Sequence, residues 1–279
     1  MKRVLHVSDL HFGRDERVVV EVLVRAMEDL APDVLVVSGD LTQRGRQLQF
    51  EHAAAFLGKF RYPQIIVPGN HDGAYFNPIR RLFYPLRRYQ QYISDDLFPV
   101  YTDDGLHIVG VNSSRPLAWD LRGFWKNGSL SNAQLQRLRE LMACAPAGAC
   151  RTLVVHHPIM NPDDDSCRDC IRRRPRILEA LGDLGIELVL SGHLHHSYAR
   201  LAPVKAGQRA PVCAAAGTAL SSRRRRESNA FNVISVDASY IDVTPYTWTG
   251  VSFIPTEPLR FPRAMPSPHA HHQHSAAGA

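Results

Sequence analysis

Long apolar runs are missing from this chain. No uninterrupted stretch of its 279 residues approaches the roughly 20 apolar positions that a membrane-spanning helix needs, so such a span is excluded. A secretory leader is not formed either: Met1-Lys2-Arg3 has the charge, but Asp9 and His11 break the apolar stretch after it, and a cytoplasmic location is expected. Cysteine is scarce and odd in number, five in all, which argues against a disulfide framework and for a reducing compartment. Lysine occurs only at positions 2, 59, 126 and 205, so arginine carries most of the net charge of +6. Guanidinium forks match phosphoryl oxygens, although the clusters at Arg80/Arg81/Arg87/Arg88, at Arg172 to Arg176 and at Arg223 to Arg226 read first as solvated loops. No Pro/Gly-rich linker divides the interior, so one large α/β domain over residues 1–254 is expected. From Pro255 to residue 279 the composition turns to proline, alanine and histidine, including His269, His271, His272 and His274, and reads as a disordered tail.

What is present alternates strand and helix. Residues 3–7 read as a strand, and Asp15 is placed as the cap of a helix whose Val19, Val22, Leu23, Ala26 and Leu30 recur at helical spacing. Ala31-Pro32-Asp33 stops it, and the apolar run Val34 to Val37 suits a strand covered on both faces. A second helix with Phe50, Ala53, Ala54, Leu57 and Phe60 on one face leads to the strand around Ile65 to Val67. Residues 76–98 mix aromatics with arginines; they read as a core helix with a solvated face, or else as a flap for an anionic substrate or membrane surface. Further strands are expected at Leu106 to Val111, Leu153 to Val155 and Leu188 to Leu190. Helices are expected after the Ser131/Gln134 capping box and after Pro175. Short strand-like runs after residue 198 suggest a second, meandering sheet.

Five of the apolar runs end in chemistry. They deliver Asp9-Leu10-His11, Gly39-Asp40, Pro68-Gly69-Asn70-His71-Asp72, His156-His157-Pro158 and Gly192-His193-Leu194-His195. An open α/β sheet gathers a site beyond the carboxyl ends of its strands in this way. Asp9, His11, Asp40, Asn70, His156, His193 and His195 mix imidazole, carboxylate and amide, which favours Fe, Mn or Zn over a calcium cage. Seven donors exceed the needs of one tetrahedral ion and suit two ions, of divalent or mixed valence, that share a carboxylate.

Taken together and in this order, the five blocks resemble the calcineurin-like metallophosphoesterases over residues 9–195. The resemblance implies an α/β fold of four layers, an αββα sandwich. It implies that Asp9, His11, Asp40 and His195 hold one metal and that Asp40, Asn70, His156 and His193 hold the other, with Asp40 bridging. It further implies hydrolysis by a hydroxide bridging the two ions, with His71 protonating the departing alkoxide. Where many relatives carry a second carboxylate after Gly-Asp, this chain has Gln43. Gln43 or Asp72 is expected to orient His71, and a neutral Gln43 would stabilise an imidazolium less than a carboxylate does.

Other residues read more plainly. His157 and His196 each follow a metal-ligand candidate on the opposite strand face and read as supporting groups. Cys167 and Cys170 read as a reduced loop and Asp163 to Asp165 as a solvated turn.

Within the resemblance, the blocks look most like bacterial class III cyclic-nucleotide phosphodiesterases, so the expected substrate is a small phosphodiester such as a 3′,5′-cyclic nucleotide. The alternative is a phospholipid or glycerophosphodiester headgroup, with peripheral membrane contact through residues 76–93. Nucleic acid is disfavoured because no capping domain or separate nucleic-acid module is visible. A non-catalytic metal-binding scaffold is the reading of a different class, and the completeness of the donor set opposes it.

Overall fold

The computed structural model describes residues 1–73, 83–115, 127–162, 170–204, 209–222 and 227–263. Its elements run β1 (Lys2–Val7), α1 (Arg17–Leu30), β2 (Val34–Val37), α2 (Gln47–Leu57) and β3 (Gln64–Ile66), then a single 3-10 turn at Asn70–Asp72. Next come α3 (Arg87–Tyr92), β4 (Val100–Thr102), β5 (Leu106–Gly110), α4 (Asn132–Ala143), β6 (Cys150–Val154), α5 (Arg174–Asp183) and β7 (Leu188–Ser191). The chain continues through β8 (Tyr198–Leu201), β9 (Val212–Ala215), β10 (Ala230–Val236), β11 (Tyr240–Trp248), β12 (Phe253–Pro255) and β13 (Leu259–Pro262).

Two mixed sheets result. One has the order β12-β11-β10-β1-β2-β3 with β13 also on β11, and the other β4-β5-β6-β7-β9-β8. Strand alternation explains how they stack. In β2, Val34 and Val36 face the opposite sheet, where they pack with Ile108, Leu188 and Leu190, while Leu35 and Val37 face Leu23 and Phe50 of the helices. A third apolar layer, with Leu135, Leu138 and Leu181, covers the other side of the second sheet. Two helical layers therefore enclose two sheets, the expected αββα sandwich. Among the described residues, no helix is long and apolar enough to cross a membrane.

Four expectations need correcting, three of them in the strands and caps. The strands after residue 198 do not form a sheet of their own: β8 and β9 complete the second sheet, whereas β10 pairs antiparallel with β1 and carries β11 into the first. Apolar residues on both faces of β10 suit an interior strand beside β1. The stretch from Pro255 is not tail throughout, because β12 and β13 pair with β11 and Arg263 is anchored on Glu187. Composition hid this, since edge strands need few apolar residues. Asp15 does not cap α1; the cap position is Glu16, and Asp15 Oδ1 instead accepts from Gly13 N at 2.8 Å.

Of residues 76–98, positions 83–98 are described and contain α3: Tyr89 is buried, donating its hydroxyl to Ile66 O at 2.9 Å, and Arg88 binds Gly45 O at 2.8 Å. The arginines at 80 and 81, those at 223–226, the aspartates at 163–165 and the histidines from 269 lie outside the described residues. So does Cys167, while Cys170 is disulfide-bonded and not the reduced thiol expected.

Candidate metal centre

Every donor named from the sequence sits on a loop leaving the carboxyl end of a strand: Asp9 and His11 after β1, Asp40 after β2, Asn70 after β3, His156 after β6, His193 and His195 after β7. The turns are sharp. Asp9, His11, Asp40, His193 and His195 all have φ between 48° and 73°, the left-handed region that costs an ordinary residue on the order of 1–3 kcal/mol. Backbone bonds hold the conformation, with Asp9 N donating to Gly39 O at 3.0 Å and His11 N to Asp40 O at 2.9 Å. Gly39, at φ +96°, lets the loops close: a Cβ there would sit 2.7 Å from His156 Nδ1.

These loops bring the seven side chains together. Asp9 Oδ1 is buried without a hydrogen-bond donor and lies 3.2 Å from His195 Nε2 and 3.6 Å from His11 Nε2. The two Nε2 atoms are 3.0 Å apart. In a second group, His156 Nε2 lies 3.2 Å from Asn70 Oδ1, 3.3 Å from His193 Nδ1 and 3.4 Å from Asp40 Oδ1. Two donors at tetrahedral angles on one ion, each about 2.1 Å from it, are separated by about 3.4 Å. Both groups fit that spacing. Asp40 joins them, since its Oδ2 is 3.8 Å from His11 Nε2 while Oδ1 faces His156.

Supporting contacts aim the donors. His156 Nδ1 donates to Ser38 O at 2.8 Å, which turns the Nε2 lone pair inward. Asp9 Oδ2 accepts from Ser8 Oγ and from His193 N, each at 2.8 Å, and Asp40 Oδ1 accepts from His71 N at 2.8 Å.

Electrostatics follow from crowding. Burial works against the charge on Asp9, yet His195 and His11 hold its carboxyl well below the usual range. Asp40 is likewise pulled down against burial, by His156 and His71. Burial would lower His156, but Asp40 overcomes it and raises the imidazole to about 9. His193, half-buried and facing His156, falls to about 3 through desolvation first and the His156 charge second.

The remaining sequence-named residues separate. His71 Nδ1 donates to the main-chain oxygen of Gln43 at 2.8 Å, and its Nε2 lies 4.0 Å from Asp40 Oδ2. The Gln43 side chain is not the contact; its Oε1 is buried without a hydrogen bond. Asp72 does not orient His71 either. Its carboxylate accepts from Gly69 N, Leu41 N, Thr42 N and Thr42 Oγ1 at 2.8 to 3.1 Å, clamping the 69–72 turn onto the 40–42 loop. Burial and the Asp40 charge push it up to about 6, while these donors favour the carboxylate. His157 is buried, with Nδ1 2.8 Å from Ser113 Oγ and its ring 4.7 Å from that of His193. His196 pairs with Glu227. Sequence reading missed Ser8, Ser38, Ser113 and Glu227. Ser8 and Ser38 do sit beside Asp9 and Gly39-Asp40, where a polar residue ending an apolar run was the available signal.

A probable cyclic nucleotide phosphodiesterase of Synechococcus sp. is 25% identical over 210 residues, covering 70% of this chain and 74% of the relative. A glycerophosphodiester phosphodiesterase of Enterobacter lignolyticus is 36% identical over 78 residues, which is 24% of this chain and 28% of that protein, so the match spans about a quarter of that relative. Among solved structures, a dimetal phosphatase from Danio rerio superposes with a TM-score of 0.65 at 15% identity, covering 94% of this chain and 99% of its own. A purple acid phosphatase from yellow lupin gives 0.61 at 12% identity, covering 91% and 52%. These two share the fold. The calcineurin-like phosphoesterase family matches residues 2–197. The chain thus belongs to the calcineurin-like phosphoesterases, metal-dependent hydrolases whose family implies a dinuclear divalent centre.

Proposed function

We propose that this metallophosphoesterase cleaves phosphodiesters. In this reading Asp9, His11, Asp40 and His195 hold one ion, and Asp40, Asn70, His156 and His193 the other. The observation that carries it is Asp40 itself, with one oxygen toward each donor group. Fe, Mn or Zn suits the mixed imidazole, carboxylate and amide donors. When bound, two such ions activate water and neutralise charge on the transferring phosphoryl group.

The chain's own residues supply the rest. His71 is poised as general acid: its Nδ1–H is committed to the Gln43 carbonyl, so the proton on Nε2 is the one to be donated to the departing alkoxide. The Gln43 carbonyl fixes the ring orientation, which keeps Nε2 facing the Asp40 side of the site. Asp72 keeps Asn70 and His71 in register by clamping their turn.

A 3′,5′-cyclic nucleotide is the first natural substrate to test, supported by the longer sequence match. A glycerophosphodiester is the second, supported by the shorter match of higher identity. A non-catalytic scaffold would have no need of His71 or of a complete donor set. The test compares bis(p-nitrophenyl) phosphate with p-nitrophenyl phosphate at equal Mn or Fe loading, then 3′,5′-cAMP with glycerophosphocholine. Preference for the diester supports the reading; preference for the monoester, or no turnover of any ester with two metals bound, overturns it.

A further inference from the structure

Beside Asn70 the surface opens into a cleft of about 330 Å³ including its mouth. Pro85 and Leu86 line it with Asn112, Ser114 and Arg115, which belong to the segment leaving β5. Arg115 is partly buried, and its Nη1 is sealed from solvent with no hydrogen-bond acceptor. A buried charged donor left in that state is costly, and among the described residues no acceptor relieves it.

The backbone packs further positive charge nearby. Ser129 N donates to Ser113 O at 2.9 Å and Arg172 N to Gly128 O at 2.8 Å, so the exit of β5, the approach to α4 and the approach to α5 lie side by side. Arg172 and Arg173 are exposed there, and Arg173 takes the left-handed conformation, φ 57°, at the start of α5. Burial, then Arg172 and Arg173, lower the pKa of the Arg115 guanidinium. Among the described residues, none of the three forms an ion pair with a carboxylate. Like charges held together beside a reaction centre, with no carboxylate paired to them among the described residues, suit an anionic ligand. A phosphodiester carries one negative charge, which two ions held by the donor set would meet. The three guanidinium groups are additional to that need.

We propose that Arg115, backed by Arg172 and Arg173, forms a second anion subsite, so that preferred substrates are phosphodiesters bearing a further anionic group on one alcohol. This rests on the phosphodiesterase reading above. It narrows the cyclic-nucleotide option to nucleotides with a second phosphate, whether terminal or diester-linked.

The test uses a matched pair, the p-nitrophenyl ester of thymidine 5′-phosphate and the same ester carrying a 3′-phosphate. Wild type should favour the 3′-phosphorylated ester in kcat/KM by roughly tenfold to a hundredfold, the range of one charge-assisted contact. Arg115→Ala should bring the ratio toward one, while Arg137→Ala, which removes an equal charge from the exposed face of α4, should leave the ratio intact. No preference in wild type, or a ratio that survives Arg115→Ala, overturns the subsite.

A second readout does not depend on turnover. With metals chelated by EDTA, pyrophosphate should raise the melting temperature of wild type, and Arg115→Ala should need at least about tenfold more for the same shift. Equal shifts in the two proteins overturn the subsite. Loss of turnover on both esters with the pyrophosphate difference intact would remove the phosphodiesterase reading and leave the subsite standing.

Discussion

Replacing His71 by alanine separates proton transfer from metal binding. His71 contributes no donor to either of the close groups, and its ring is held by the Gln43 carbonyl at 2.8 Å, with 13% of the side chain exposed. His71→Ala should therefore keep its metals while losing general acid catalysis, worth roughly a hundredfold to ten-thousandfold. The loss must depend on the leaving group. An alkoxide needs a proton as the P–O bond breaks, whereas p-nitrophenolate departs without one. The assay measures kcat/KM for a series of aryl and alkyl diesters in wild type and variant, with metal content checked by elemental analysis. The variant should lose most on alkyl diesters and less than about tenfold on p-nitrophenyl diesters. A uniform loss across the series, or loss of metal, would refute the general-acid role.

Gln43→Ala should keep kcat within about threefold of wild type, because a main-chain carbonyl survives truncation of the side chain, and steady-state kinetics will show it. Arg263→Ala should lower stability by about 3 kcal/mol in urea titration. It removes a bidentate contact to Glu187, at 2.9 and 3.1 Å with both side chains under a tenth exposed, although Arg209 still reaches Glu187 at 2.7 Å. His6 is fully buried and its pKa is lowered to about 3 by burial. The unfolded chain then binds the extra proton first, so stability is present above about pH 6.5 and is lost as pH falls toward 3, by up to about 4–5 kcal/mol. His6→Gln should flatten that dependence relative to wild type in acid denaturation of the metal-free protein.

The parallel interior of the fold was legible from sequence because each strand there is a short, nearly continuous apolar run, as in Val34 to Val37, and each ends in a polar cluster. Those clusters named the donor atoms that the loops bring together. Pairings between distant segments left no such trace. That β10 joins β1 across more than 200 residues depends on which buried edge remained unfilled, and β13 is an edge strand of mixed composition. Asp72 was misread for a related reason: a carboxylate beside a catalytic histidine looks like its partner, and only the fold reveals that backbone N–H groups on the 40–42 loop and Gly69 claim both oxygens. Arg115 gave no local signal, since its surroundings come from three separate segments.

The central claim is a dinuclear centre shared through Asp40, and titrating metal-stripped protein with Mn while following bis(p-nitrophenyl) phosphate hydrolysis tests it most directly. Activity should rise until two equivalents are bound per chain, and Asp40→Ala should weaken both binding events and abolish turnover. Full activity at one equivalent, or undiminished binding of two ions by Asp40→Ala, would contradict it.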